Sequence, residues 1–187
     1  MLVSQYALDD ADFFVAAPIA EWAHANAIEI TPGSIQAIDA QMNYGHILTF
    51  MGKYEKAETL LVEAVEESHN AFTDQHLVSI RALDNLCFLR LQQGQGEEAL
   101  GLARHAHKAW NELYGPYVPT ALAHRLSLNV AQALHLQGNL VEARSELNKI
   151  IVQGARNKST RSTQYLARVT LARLDLQAGQ LQAALDG

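Results

Sequence analysis

The sequence predicts an all-α chain of stacked antiparallel helix pairs, on three observations. Glycine recurs at Gly52, Gly94, Gly138 and Gly179, at spacings of 42, 44 and 41 residues. An alanine follows each by five residues, at Ala57, Ala99, Ala143 and Ala184, and Ala16 stands 41 residues before the first of them. Between these marks the apolar residues keep helical spacing, and no window alternates as a strand would. A period of about 20–50 residues marks units that cannot bury their own apolar face and stack to do so.

The elements follow in order. Residues 1–30 read as a partial repeat, with residues from about 12 to 28 as the second helix of a pair whose first helix is expected to be absent or degraded. Pro18 lies inside it and is expected to bend or weaken it. Residues 31–72 form the first whole repeat. Thr31-Pro32-Gly33-Ser34 opens it, and GKYEKA marks its internal turn. In Tyr54–His69, Ala57, Leu60, Leu61, Ala64 and Val65 make one stripe. Residues 73–115 form the second, entered through Phe72-Thr73-Asp74-Gln75 and turned at GQGEEA. Residues 116–158 form the third, entered through the stretch from Tyr114 to Thr120 and turned at GNLVEA. Residues 159–187 form a fourth, after a break from Gly154 to Thr160, with a first helix near Arg161–Ala178. GQLQAA then begins a second helix too short to be stable alone. The chain is therefore expected to continue past Gly187, and Leu171, Leu174 and Leu176 to leave apolar surface that favours self-association at this end.

Each repeated residue has a physical reason. Glycine can end a helix in the left-handed region without a Cβ clash. Alanine lets two helices cross closely. A large residue followed by a small one also precedes each turn, at Tyr44-Gly45, Leu86-Cys87, Val130-Ala131 and Leu171-Ala172. Cys87 reads by this register as a small packing residue, with a reactive thiol as the alternative. It is the single cysteine, so no disulfide within the chain is possible.

Composition bounds the function classes. Hydrophobic residues make up 49% and charged residues 18% of the 187, which suits a globular chain. The net charge of −6 argues against general nucleic-acid or membrane-surface binding, since both need positive surface. The sum hides an asymmetry. Met1–Ser79 holds twelve acidic residues and two lysines, whereas Ile80–Gly187 holds twelve basic and eight acidic residues. Lys149, Arg156, Lys158, Arg161, Arg168 and Arg173 fall in a stretch with no acidic residue, as a solvated face or as a dock for an acidic partner. No apolar run approaches a membrane span, and the N-terminus has no signal-peptide pattern, so a cytoplasmic setting is expected.

The large–small pair, the glycine turn, the aromatic or leucine two residues later (Tyr54, Leu140, Leu181) and the alanine together resemble the tetratricopeptide repeat family. The period is about eight residues longer than that family's usual one, roughly one turn per helix. In this the chain is similar to the repeats of kinesin light chains and of bacterial regulatory proteins. The stretch from Tyr114 to Ala121 is similar to their interhelix turn. Departures are Phe13 and Gly96 at the aromatic-or-leucine position and Ala11 where glycine is expected. The resemblance implies a right-handed superhelical solenoid whose first helices line a concave groove. It places partner-binding residues on those helices. Asn43, Asn85 and Asn129 stand nine residues before their turn glycines, with Thr170 in the fourth repeat. An amide donates and accepts, so such a row can hold a peptide backbone. The alternative is that the amides tie neighbouring helices together. His46, Arg81, Phe88, Arg125, Gln132 and Arg173, with Asp84 and His135, are expected on the same side. The arginines suit carboxylates of an acidic partner.

Catalytic signals are weak. His105 and His107 lie two apart, about 200° around a helix, so they cannot share an ion. No HExxH, CxxC, GxSxG or phosphate-loop pattern is present. No metal or cofactor is expected. Trp22 and Trp110 read as packing residues. The leading expectation is a non-catalytic scaffold for a protein or peptide. The alternative is an effector-sensing or self-associating regulatory module of a larger protein.

Overall fold

A computed structural model describes residues 10–115, 120–154 and 161–177, with Gly179 beyond them. Among the described residues there are eight α-helices and no strand. They are α1 (Asp10–Ile30), α2 (Ile35–Phe50), α3 (Tyr54–Ala71), α4 (Leu77–Gln92), α5 (Gly96–Tyr114), α6 (Ala121–Leu136), α7 (Leu140–Gly154) and α8 (Arg161–Gln177). Expectations resting on residues 116–119, 155–160 and 180–187, including Leu181 and Ala184, lie outside the described residues. The chain divides into two compact units, Met1–Gln93 and Gly94–Gly187.

In the first unit α2 packs on α1, α3 and α4, and α3 packs on α4. Ser34 caps α2, its hydroxyl accepting from the Ala37 N–H. The α2–α3 turn closes at Gly52, whose φ of 71° is left-handed, and Lys53 N–H donates to the Leu48 carbonyl. The helices then cross closely. A Cβ on Gly45 would stand 2.8 Å from Cγ and Cδ2 of Leu61, which is why the second member of the pair is small here. Ile38, Met42, Ala64, Val78 and Ala82 form a buried cluster, with Val65 and Phe72 against it. Gln41 donates to the Leu60 carbonyl at 3.0 Å, joining α2 to α3 inside. Arg90, itself buried, reaches Glu58 at 2.8 Å and joins α4 to α3.

α1 runs further than the sequence suggests at both ends and passes through Pro18. The missing N–H and ring clash of an interior proline cost roughly 3 kcal/mol. α1 stays one helix through it and packs along α2. Trp22 is 67% exposed, so it does not pack as expected.

In the second unit α6 packs on α5, α7 and α8, and α7 packs on α8. Thr120 caps α6, accepting from the Ala123 N–H. Gly138 closes the α6–α7 turn with a φ of 76°. The departure at Gly96 has a packing cause: a Cβ there would lie 2.9 Å from the Leu136 Cβ. Gln137 donates to the Gly96 carbonyl at 3.1 Å across the same crossing. Ala99, Ala103, Ala106 and Ala143 are buried, and Trp110 is buried with its ring centroid 4.4 Å from that of Tyr114. Arg144 on α7 pairs with the buried Asp175 on α8.

Candidate functional site

The turn glycines set a common register, and within each unit the residues at one register position can be compared. In the first unit His46 and Phe88 both stand six residues before their glycine, on α2 and α4. The structure brings them together, with ring centroids 5.0 Å apart. Phe50 lies 4.8 Å from His46 and 5.1 Å from Phe88, and Phe13 of α1 stacks on Phe50 at 5.2 Å. All four rings are half-buried. Sequence reasoning found His46 and Phe88 and missed Phe50 and Phe13. The signal for Phe50 was its place one helical turn after His46. Phe13 was visible only as a departure from the repeat pattern.

The asparagines of this unit differ from each other. Asn43 is exposed, whereas Asn85 is 8% exposed. Arg81 donates to Asp39 at 2.8 Å. Asp39 stands at the Arg81 position one repeat earlier, so the arginine row begins with its own counter-charge. Asp84, placed on the same side by the sequence, is buried.

In the second unit Gln132 and Arg173 share the position of His46 and Phe88, on α6 and α8, and both are half-buried. His135 is also half-buried, and Arg125 is exposed on the first turns of α6. Asn129 is 4% exposed, and the buried Thr170 at the matching position of α8 donates to the Leu166 carbonyl at 2.9 Å. Asn85 and Asn129 are thus interior and Asn43 is open, while the row six before each glycine keeps partial access to solvent.

Two open clefts lie elsewhere. One, of about 580 Å³, runs between α1 and α2, lined by Ala16, Ile19, Ala20 and Ala23 on one side and by Asp39, Ala40 and Asn43 on the other. The other, of about 390 Å³, lies among α5, α6 and α7, beside Arg104, His107, Lys108 and Glu146. Burial pushes the His107 imidazole below its ordinary pKa, and its Nδ1 lies 3.2 Å from the Asn111 side-chain nitrogen. Cys87 is fully buried, and burial, then Asp84, pushes its thiol well above the ordinary range, which suits a packing residue. Among the described residues no group of three His, Cys, Asp or Glu side chains converges, and no helix is long and apolar enough to cross a membrane.

No protein-family model matches the chain. No curated protein matches it either. Solved structures do. A protein of Podosopora anserina with nearly identical TPR-like repeats of kinesin light chain type superposes with a TM-score of 0.73 at 18% identity. The match covers 95% of this chain and 84% of that one. The chain has a TPR-like repeat fold. A second crystal structure under the same description gives a TM-score of 0.71 over the same shares, again at 18% identity. BtubC (BKLC) from P. vanneervenii gives 0.74 at 16% identity, covering 95% of this chain and 70% of its own. In TPR-like terms α2, α4, α6 and α8 precede a turn glycine and are first helices, and α1, α3, α5 and α7 are second helices.

Proposed function

We propose that the chain is a non-catalytic protein-interaction scaffold that holds a peptide or protein segment along its first-helix faces. The observation that carries this reading is the half-exposed cluster of His46, Phe50 and Phe88, with Phe13 stacked against it. Packed aromatic rings that keep one edge in water are the kind of anchor that binding surfaces use. Gln132, Arg125 and Arg173 give the second unit a polar set of its own, and the arginines suit an acidic partner. Asn43, Asn85 and Asn129 serve in this reading as the row behind the contact surface. Helix α8 leaves Tyr165 and Leu176 exposed, which supports self-association at that end. A cytoplasmic, reducing setting suits the single buried thiol.

A second reading, an effector-sensing module, draws on the cleft among α5, α6 and α7. Its volume of about 390 Å³ is of small-molecule scale, and Arg104 and Lys108 line it. Its walls also carry Glu112 and Glu146, which makes it less suited to an anion.

The test is selection of binders from a random peptide library displayed on phage, followed by affinity measurement on the selected peptides. His46→Ala and Phe88→Leu should each weaken binding about tenfold or more. Arg125→Glu with Arg173→Glu should flatten the salt dependence of binding to acidic peptides. Melting curves of the variants should stay close to wild type. Selected peptides that bind both ring variants as tightly as wild type would overturn the reading.

A further inference from the structure

The repeat maps the start of the first unit onto its continuation, residue by residue. Ala16, Ile19, Ala20 and Ala23 of α1 stand where Ala57, Leu60, Leu61 and Ala64 stand on α3. The α3 residues are all buried, because α2 lies on them. On α1, Ile19 is 62% exposed and the three alanines are only half-buried. Helix α2 shows the same lack. Its Gln36, Ala40 and Asn43 match Val78, Ala82 and Asn85 of α4, which are all buried. Gln36 and Asn43 are exposed, and Ala40 is half-buried. Among the described residues, the α1/α2 cleft thus lacks the helix that α2 provides over α3 and α4. Its floor of alanines fits the close approach of another first helix.

Helix α8 offers a face of the required kind. Tyr165 stands where Ile38 and Ile80 stand on α2 and α4, both fully buried, yet Tyr165 is 67% exposed. Its large–small pair, Leu171-Ala172, is half-buried, and Arg168, at the Gln41 position, is exposed. The charges also match. α1 carries Glu21, which pairs with Lys56 of α3, and Glu29, and no lysine or arginine. α8 carries Arg161, Arg168 and Arg173, and its one carboxylate, Asp175, is paired with Arg144.

We propose that α8 of one copy seats in the α1/α2 cleft of a second copy, joining molecules head to tail. By the repeat register Tyr165 then lies over Ala23 and Ala40, as Ile38 lies by Ala64 and Ala82. Ala172 meets Ala20, as Gly45 meets Leu61. Arg168 comes beside Trp22, whose exposed ring can take a guanidinium on its face. The contact uses two different surfaces, so it does not close on itself and builds open chains. This extends the self-association reading of α8 by naming its receptor, and its test reads oligomer size, not peptide affinity.

Sedimentation velocity across a wide concentration range tests it, with two charge variants at exposed positions. Wild type should grow into a ladder of oligomers. Ile19→Glu and Tyr165→Glu should each remain monomeric. An equal mixture of the two should give a one-to-one dimer and nothing larger, because one retains a working α8 and the other a working cleft. A wild-type protein that stays monomeric throughout would overturn both this proposal and self-association. Oligomers that survive Ile19→Glu but not Tyr165→Glu would leave self-association standing and overturn the cleft as its receptor. Two monomeric variants that form no mixed dimer would overturn the head-to-tail geometry.

Discussion

Replacing His124 with isoleucine should make the protein more stable and less sensitive to acid. His124 stands fourteen residues before its turn glycine, the position filled by the fully buried Ile38 and Ile80. It is 3% exposed, and neither ring nitrogen has a hydrogen-bond partner among the described residues. A buried polar group without a partner costs about 1–3 kcal/mol. Isoleucine has similar bulk and no polar atom, so the variant should gain about that amount. In a protein of this length 1 kcal/mol moves the melting temperature by about 2–4 °C, which gives a rise of about 2–12 °C. The pH dependence has a definite sign. Burial holds the His124 imidazole below its ordinary pKa, so the unfolded chain takes up this proton first as pH falls. Stability is complete above the unfolded value of about 6.5 and is lost from there down through the lowered folded value. His24 and His107 are lowered mainly by burial as well, so His124→Ile removes only a share of the acid sensitivity. Thermal melts followed by far-UV circular dichroism, at neutral pH and near pH ~5, provide the assay. A variant that melts no higher at neutral pH, or loses as much on acidification as wild type, would refute the argument.

The contact alanines and the asparagine row make two further predictions. Ala99→Leu and Ala143→Leu each place extra bulk at a fully buried crossing and should cost about 1–3 kcal/mol, read as a lower melting temperature; unchanged melts for both would mean the register is wrong. Asn85→Ala combined with Asn129→Ala removes two buried amides and should lower the melting temperature while leaving the affinity for selected peptides in place. A loss of affinity with the melt unmoved would instead assign those amides to the peptide.

The helical repeat was legible because its marks are backbone and packing necessities. Gly52, Gly94, Gly138 and Gly179 all take φ between 71° and 76°, a region where other residues are strained, and Ala57, Ala99 and Ala143 have no exposed surface. What the sequence obscured were the places where residue type and repeat position disagree. Trp22 looks like a packing residue by type, but its position matches the exposed Glu63 on α3, and it is exposed too. The asparagines look like a binding row by type, yet Asn85 and Asn129 are interior, and only Asn43 lies open. His124 is the reverse, a polar type at a core position. Gly96 replaces an expected large residue because Leu136 comes too close for a side chain. Position decides exposure, since the same crossings recur every period. Type decides what the side chain does once there. An apolar residue at an exposed position has no packing reason within its own unit, so Ile19 and Tyr165, bare where their repeat counterparts are buried, are the residues at which a missing neighbour should be sought.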